Sequence, residues 1–395
     1  MRKMSFDNAM VYPYSQEFSP LLRYDGLWPK VCRYVCVSPK GWRLHDRDAG
    51  GADGGEDTGL MVRHSFEDAL AQVDSVVISD LSDFHISRYS ELLLSDFRLD
   101  LIKKMEAATK AGKHVVCYLA LTDAERARFC EISEKKGVEF VYARGNHREV
   151  KSVKYNKKLK KIGIPVVFVF GMFPNTDKFD ITLSLASRLK REGYQVSGIL
   201  SRDYNTLGSL HGFPSFMTSG EMSDQEKILS FNQYVHDLEN TENPDILLIG
   251  LPDGILTARE NMLSHFGVLP YMVSCAVNPD FSVFSLNYSD IKDISFYEEL
   301  LRLVKYKWGF GVDCFALTNR EIDWFKSKEK DDFFYFKKTN GEVDELIGAL
   351  RAVSAPCFNL KTKEGWDKVV ELLISRLSAE THVDTVIKGE YKHDR

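Results

Sequence analysis

IPVVFVFGMFPNTDKFDITLSLASRLKREG, residues 164–193, carries a strand, a turn and a helix in thirty residues. After Pro165 comes VVFVFG, an apolar run with the length and β-branched character of a strand buried on both faces. GMFPNTDK (171–178) follows and is a loop by its turn residues. Phe179, Leu183, Ala186 and Leu189 then recur at helical spacing, opposite Ser187, Arg188, Lys190 and Arg191, and Gly193 is a natural stop. Strand, loop ending in lysine, helix: this is the layout of a phosphate-binding turn, where loop amides and a helix N-terminus face an anion. Two positions depart from that pattern. A Gly before the lysine lets the backbone approach phosphate, and a hydroxyl after it holds Mg²⁺; here Asp177 and Phe179 stand there. Three readings follow. The turn is an ordinary strand-to-helix connection with Thr176 or Asp177 as N-cap, an anion or nucleotide site without efficient hydrolysis, or an active NTPase. Its candidate binding residues are Gly171, Asn175, Thr176 and Lys178, and its candidate cofactor is a nucleotide with Mg²⁺.

Downstream, YQVSGILS (194–201) reads as a second strand. RDYNTLGSLHGFPSFM (202–217) is irregular and offers Arg202 and His211 at the C-terminal edge of the sheet, where α/β sheets bind ligands. DILLIG (245–250) is a third buried strand, ending in LPDG. An acid in the place of Asp253 can hold a metal's water, while Asp253-Gly254 is equally good turn chemistry. Strands are expected at 281–287, 312–318, 333–337 and 357–360, among helices at 224–239, 297–306, 342–353 and 366–377.

Upstream, strands at 9–14, 31–38, 73–81, 113–120 and 138–143 alternate with helices at 15–24, 94–112 and 123–136. Such alternation implies a parallel sheet covered on both faces. No G-x-G-x-x-G follows the first strand, which removes the main reason to expect a dinucleotide. PKGWRLHDRDAGGADGGEDTGL (39–60) reads as a long, solvated surface loop. Its Asp46, Asp48, Asp53, Glu56 and Asp57 offer oxygen atoms to a hard cation, but their spacing matches no calcium loop. RGNHREVKSVKYNKKLKK (144–161) carries eight Lys or Arg against Glu149 alone. It is a solvated connector or a docking strip for an acidic peptide or partner. The expected fold is therefore α/β with two parallel-sheet domains. Residues 1–143 form a Rossmann- or flavodoxin-like domain, 144–163 a basic connector, and 164–395 a degenerate phosphate-loop NTPase-like domain.

Composition sets the bounds. The 395 residues are 44% hydrophobic, enough for two or three domain cores. A net charge of -5 leaves no overall electrostatic footprint for nucleic acid. No apolar run reaches membrane-spanning length, and MRKMSFDNAM lacks a signal peptide's apolar core, so a soluble cytoplasmic protein with no membrane partner is expected. The seven Cys, at 32, 36, 117, 130, 275, 314 and 357, read as reduced thiols, several of them buried. No C-x-x-C, H-E-x-x-H or G-x-S-x-G occurs, so no metal or cluster site is expected and no catalytic residue stands out.

Two resemblances add to this. The 171–178 loop, with seven steps from Gly to Lys, resembles the phosphate loop of dethiobiotin synthetase, and DILLIGLPDGI (245–255) resembles that enzyme's second ligand-facing edge. Only Gly171, Lys178 and Gly254 carry over. Across nearly the whole chain, VSPKGW (37–42), DAGGADGGEDTG (48–59), NTDKFDI (175–181), GFPSFM (212–217), IGLPDGI (249–255) and GVDCF (311–315) together resemble a clostridial peptide maturation system family. That resemblance implies an accessory or binding role in maturing a ribosomally synthesised, post-translationally modified peptide. It implies a precursor peptide and a radical SAM enzyme as partners, and transfers no catalytic residue. An ATP-dependent peptide-modifying enzyme and a small-molecule carrier using an interdomain cleft are the alternatives.

Overall fold

A computed structural model describes residues 6–27, 31–79, 91–143, 158–202, 204, 209–258, 264–330 and 333–378. Most of the basic connector (144–157) and the C-terminal tail (379–395) lie outside the described residues. The chain divides into two units. The first is Met1–Glu149 with Asp203–Gly212 and Phe325–Phe333; the second is Val150–Arg202, Phe213–Trp324 and Phe334–Arg395. Two short pieces from later in the chain thus belong with the first unit. The reason is packing: the Tyr204 ring sits 5.6 Å from that of Phe18 and 4.8 Å from that of Tyr118, and Ser209 N–H donates to Leu27 O.

In the first unit, β1 (Phe6–Tyr12), β2 (Val31–Cys36), β3 (Ser75–Ile78), β4 (His114–Cys117) and β5 (Phe140–Tyr142) form a wholly parallel sheet of order β2-β1-β3-β4-β5. This is the flavodoxin-like doubly wound order. The helices α1 (Ser19–Arg23), α2 (Phe66–Leu70), α3 (Glu91–Lys110) and α4 (Asp123–Lys136) connect it. Phe66, Leu101, Met105 and Phe129 pack on Met10, Val76, Ile78 and Val115 of the strands. α4 occupies its expected span because both ends are written in the sequence. Thr122 and Glu125 close a capping box, and Gly137 ends the helix at φ 67°.

The 39–60 loop departs from the expectation of a solvated segment. Ala49 and Ala52 are buried, and Asp53 is only 2% exposed. A charge so placed needs a partner. Arg23 supplies it with a two-pronged contact to Asp53 at 2.6 and 2.8 Å. Asp48 accepts the backbone N–H groups of Gly51, Thr58 and Gly59. Two carboxylates considered as cation ligands are therefore spent on holding the loop. Among the described residues no group of three or more His, Cys, Asp or Glu side chains is placed to hold a metal. Cys36, Cys117 and Cys314 are buried free thiols, but Cys130 is exposed on α4.

In the second unit, the sheet runs β11-β10-β9-β6-β8-β7, with β12 also on β10. Its strands are β6 (Val166–Gly171), β7 (Val196–Ile199), β8 (Ile246–Gly250), β9 (Phe281–Tyr288), β10 (Cys314–Ile322), β11 (Tyr335–Lys337) and β12 (Cys357–Asn359). All pair in parallel except β11, which is antiparallel. Every residue of β6 is buried, as a central parallel strand requires. Phe170 stacks on Phe284 of β9 at 4.6 Å, and Phe310 stands edge-on to Phe170 at 5.4 Å. The covering helices are α5 (Lys178–Arg191), α6 (Asp224–Glu242), α7 (Val268–Ala276), α8 (Ile294–Trp308), α10 (Asn340–Ala349) and α11 (Lys363–Ser378), while α9 (Trp324–Lys330) leads out of β10. No helix among the described residues is long and apolar enough to cross a membrane.

Breaking the Arg23–Asp53 pair from one side strands a buried carboxylate. Arg23→Met is expected to cost about 3–5 kcal/mol in chemical denaturation, most of it recovered in the double variant with Asp53→Leu.

Candidate functional site

The loop between β6 and α5 lies at the C-terminal edge of the second sheet, beside the segment that leaves β8. Ile255 N–H donates to Gly171 O at 3.0 Å and Leu256 N–H to Met172 O at 3.1 Å. Gly254 permits this approach, since a Cβ there would stand 2.6 Å from Phe173 Cα. Further along, Tyr335 Oη donates to Pro174 O at 3.2 Å and Ser285 Oγ to Thr176 O. Lys178 Nζ folds back to donate to Phe173 O at 3.0 Å. The carbonyls of residues 171, 172, 173, 174 and 176 are thus all engaged within the protein. The backbone is left-handed at Asn175 (φ 59°) and Asp177 (φ 58°), on either side of the buried Thr176. Turns of that kind converge successive N–H groups into a concavity that suits an anion.

Asp177 resolves the apparent defect of the loop. Asn and Asp tolerate left-handed backbone better than other side-chain-bearing residues, so Asp177 supplies the conformation usually left to Gly. It is the residue preceding α5, but its side chain makes no capping bond. Its carboxylate, 7% exposed, is 3.4 Å from Arg320 and 3.2 Å from Lys361 Nζ. Lys361 also donates to Asp180 at 3.2 Å. Arg320 reaches the loop because β10 slips register against β9 between Leu317 and Glu321. Such a bulge re-aims side chains, and Thr318 Oγ1 accepts Arg320 N–H within it. Lys361 follows β12 in a turn held by Asn359, whose Oδ1 accepts Lys361 N–H.

Lys178, the first residue of α5, is 6% exposed. Burial pulls its ammonium down from the usual lysine range to about 7; nearby Arg202 acts in the same sense, and Asp253 and Asp177 oppose it. Phe179 is buried under the Arg202 guanidinium, 5.4 Å from its ring centre. The Thr182 hydroxyl is spent on Lys178 O at 2.8 Å. The position after the lysine therefore offers aromatic surface and no metal-binding hydroxyl. Asp253 sits just beyond β8 with φ 59°.

Of the residues singled out in the sequence, Gly171, Asn175, Thr176, Lys178, Arg202, Asp253 and Gly254 all belong to the second unit, and Lys178 interacts electrostatically with both Arg202 and Asp253. His211 belongs to the first unit. Sequence reading missed Arg320, Lys361 and Asp180. A cue existed, because Arg320 and Lys361 each stand at the end of an apolar strand, where such sheets gather ligand-facing groups.

No family model matches the chain, and no curated protein matches it. Among solved structures, the fold is similar to that of a DUF1611 family protein from Anabaena variabilis. The TM-score is 0.57 at 13% identity, over 93% of this chain and 99% of that one. Lower similarity links part of the chain to the MinD cell division protein of Aquifex aeolicus, with a TM-score of 0.30 at 13% identity over 55% of this chain and 98% of that one. A nucleotide-binding protein in complex with ADP from Archaeoglobus fulgidus gives 0.30 at 16% identity, over 59% and 94%.

Two outcomes are expected. Between about pH 7 and the ordinary lysine value of 10.5, the folded state binds fewer protons than the unfolded chain, so stability rises with pH across that window. The penalty is fully present below about pH 7. Lys178→Met should therefore raise the melting temperature over wild type by more at pH 6 than at pH 9.5, as read by calorimetry at both values. Gly254→Ala must push back the loop backbone at Phe173. It should cost about 1–3 kcal/mol, as read by denaturant unfolding.

Proposed function

We propose that the 171–178 loop is a phosphate-group site that binds without efficient hydrolysis. We propose further that the chain is an accessory binding protein in the maturation of a ribosomally synthesised, post-translationally modified peptide. One observation carries the first part: the Asp177 carboxylate is held by Arg320 and Lys361. Its charge is neutralised locally and does not bar an anion from the loop. The left-handed turns at Asn175 and Asp177, the start of α5 and Lys178 all favour negative charge. Phe179 in place of a hydroxyl disfavours the Mg²⁺ arrangement that phosphoryl transfer requires. The peptide role rests on the resemblance of six sequence motifs to those of the maturation family, which implies a precursor peptide and a radical SAM enzyme as partners. The Lys178–Asp253 interaction is the feature that an ATP-dependent peptide-modifying enzyme would use instead.

Titration with inorganic phosphate and with ATP tests the site. Lys178→Ala should weaken binding of both. Asp177→Gly keeps the left-handed backbone and releases two cations, so it should strengthen binding roughly tenfold, about the value of one charge-assisted hydrogen bond. Unchanged affinity in both variants would show that the turn is purely structural. Turnover of ATP with the precursor peptide present should stay below the usual enzyme range of about 1–10³ s⁻¹; turnover within it establishes the enzyme reading. Failure of the precursor peptide to retain the protein in a pull-down removes the peptide role.

A further inference from the structure

Beside the loop, the second unit holds a cavity of about 410 Å³ at the ends of β9 and β10. Phe173 of the loop, Trp324 and Tyr297 form part of its wall, and the Phe173 and Trp324 rings meet edge-on at 6.0 Å. The cavity is within the range of small-ligand sites. Its charged lining residues are Asp290 and Glu321, and among the described residues no Lys or Arg lines it. The anionic part of any ligand is thus kept outside.

Asn287 supplies the second observation. It lines the same cavity. Its amide oxygen and amide nitrogen are both buried, and neither makes a hydrogen bond. A buried polar group left without a hydrogen bond forfeits its hydration with nothing in return, and a primary amide carries one acceptor and two donors side by side. A native amide orphaned at both ends calls for an explanation. A ligand edge that presents a donor next to an acceptor provides one. The terminal torsion of Asn is broad, so the amide can turn to meet such an edge.

We propose that this cavity is a nucleobase site. The base enters flat between aromatic side chains, with its edge on the Asn287 amide, while the phosphate lies at the 171–178 loop. Continuity with that loop favours this ligand class: Phe173 contributes its ring to the cavity and its carbonyl to Lys178. The proposal rests on the phosphate-site reading for the direction in which the ligand lies, and on the cavity and Asn287 for the base. It names the ligand of that site as a nucleotide, whatever becomes of its phosphates.

Calorimetric titration of the full chain with adenosine, guanosine, cytidine and uridine, none of which carries phosphate, tests the base site alone. Inorganic phosphate, titrated separately, tests the loop alone. Wild type should bind at least one nucleoside, and the corresponding nucleotide more tightly. Asn287→Leu, close in size, should lose about tenfold or more in affinity for that nucleoside, the worth of two hydrogen bonds. Trp324→Ala, at a partly exposed position that folding tolerates more readily, should weaken the same nucleoside. Wild type that binds phosphate but no nucleoside overturns the base site and leaves the phosphate reading standing. Binding of a nucleoside but not phosphate does the reverse. Unchanged nucleoside affinity in both variants, or displacement of bound nucleoside by the precursor peptide alone, also overturns the assignment.

Discussion

The buried carboxylate of Asp177 sets the terms for the second unit. Placed at the start of α5 and almost closed to water, it must be neutralised by groups that come to it. Arg320 arrives from a bulge in β10 and Lys361 from the turn after β12, and Lys361 is shared with Asp180. Two stretches, 143 and 184 residues further along the chain, therefore converge on the loop. Cutting one member of such a group leaves an uncompensated charge in a poorly solvated place, so the β10 bulge and the β12 turn are bound to the geometry of the loop.

The same network shapes what the loop can do. Its carbonyls are taken by Ile255, Leu256, Lys178, Tyr335 and Ser285, so their negative ends are already satisfied. Lys178 is itself buried, and its proton is held loosely near neutral pH. An anion arriving beside it would favour the charged form. Phe179 fills the place from which a hydroxyl would hold Mg²⁺. This is why the proposed reading is binding and not phosphoryl transfer, since catalysis of that transfer depends on the metal.

The first unit teaches a complementary lesson. Its Gly- and Asp-rich loop has the composition of a solvated segment, yet Asp53 and Asp48 act as internal anchors. One is clamped by Arg23 and the other by backbone amides of its own loop. Composition describes average behaviour; a single arginine thirty residues earlier in the chain reverses it by giving a buried carboxylate a partner.

Much of the fold was legible because its signals are local. The apolar run of β6, the 3.6-residue period of α5 and the Thr122–Glu125 box are each contained within a few turns of chain, and they fix element type without tertiary help. The α/β alternation then implies two parallel sheets, and those are present. The left-handed backbone at Asp177 was less legible, because the sequence suggested a missing glycine where an aspartate does the same conformational work. Arg320 and Lys361 could not be paired with Asp177 from sequence, being 143 and 184 residues away from it. Nor could the packing of Tyr204 on Phe18 and Tyr118, or the orphaned amide of Asn287 in its cavity, be read from order along the chain. The elements, their class and the strand–loop–helix that carries the candidate site follow from local order along the chain. Which distant charges meet follows from packing in three dimensions, because a buried charge needs an opposite charge near it in space, wherever that residue stands in the chain.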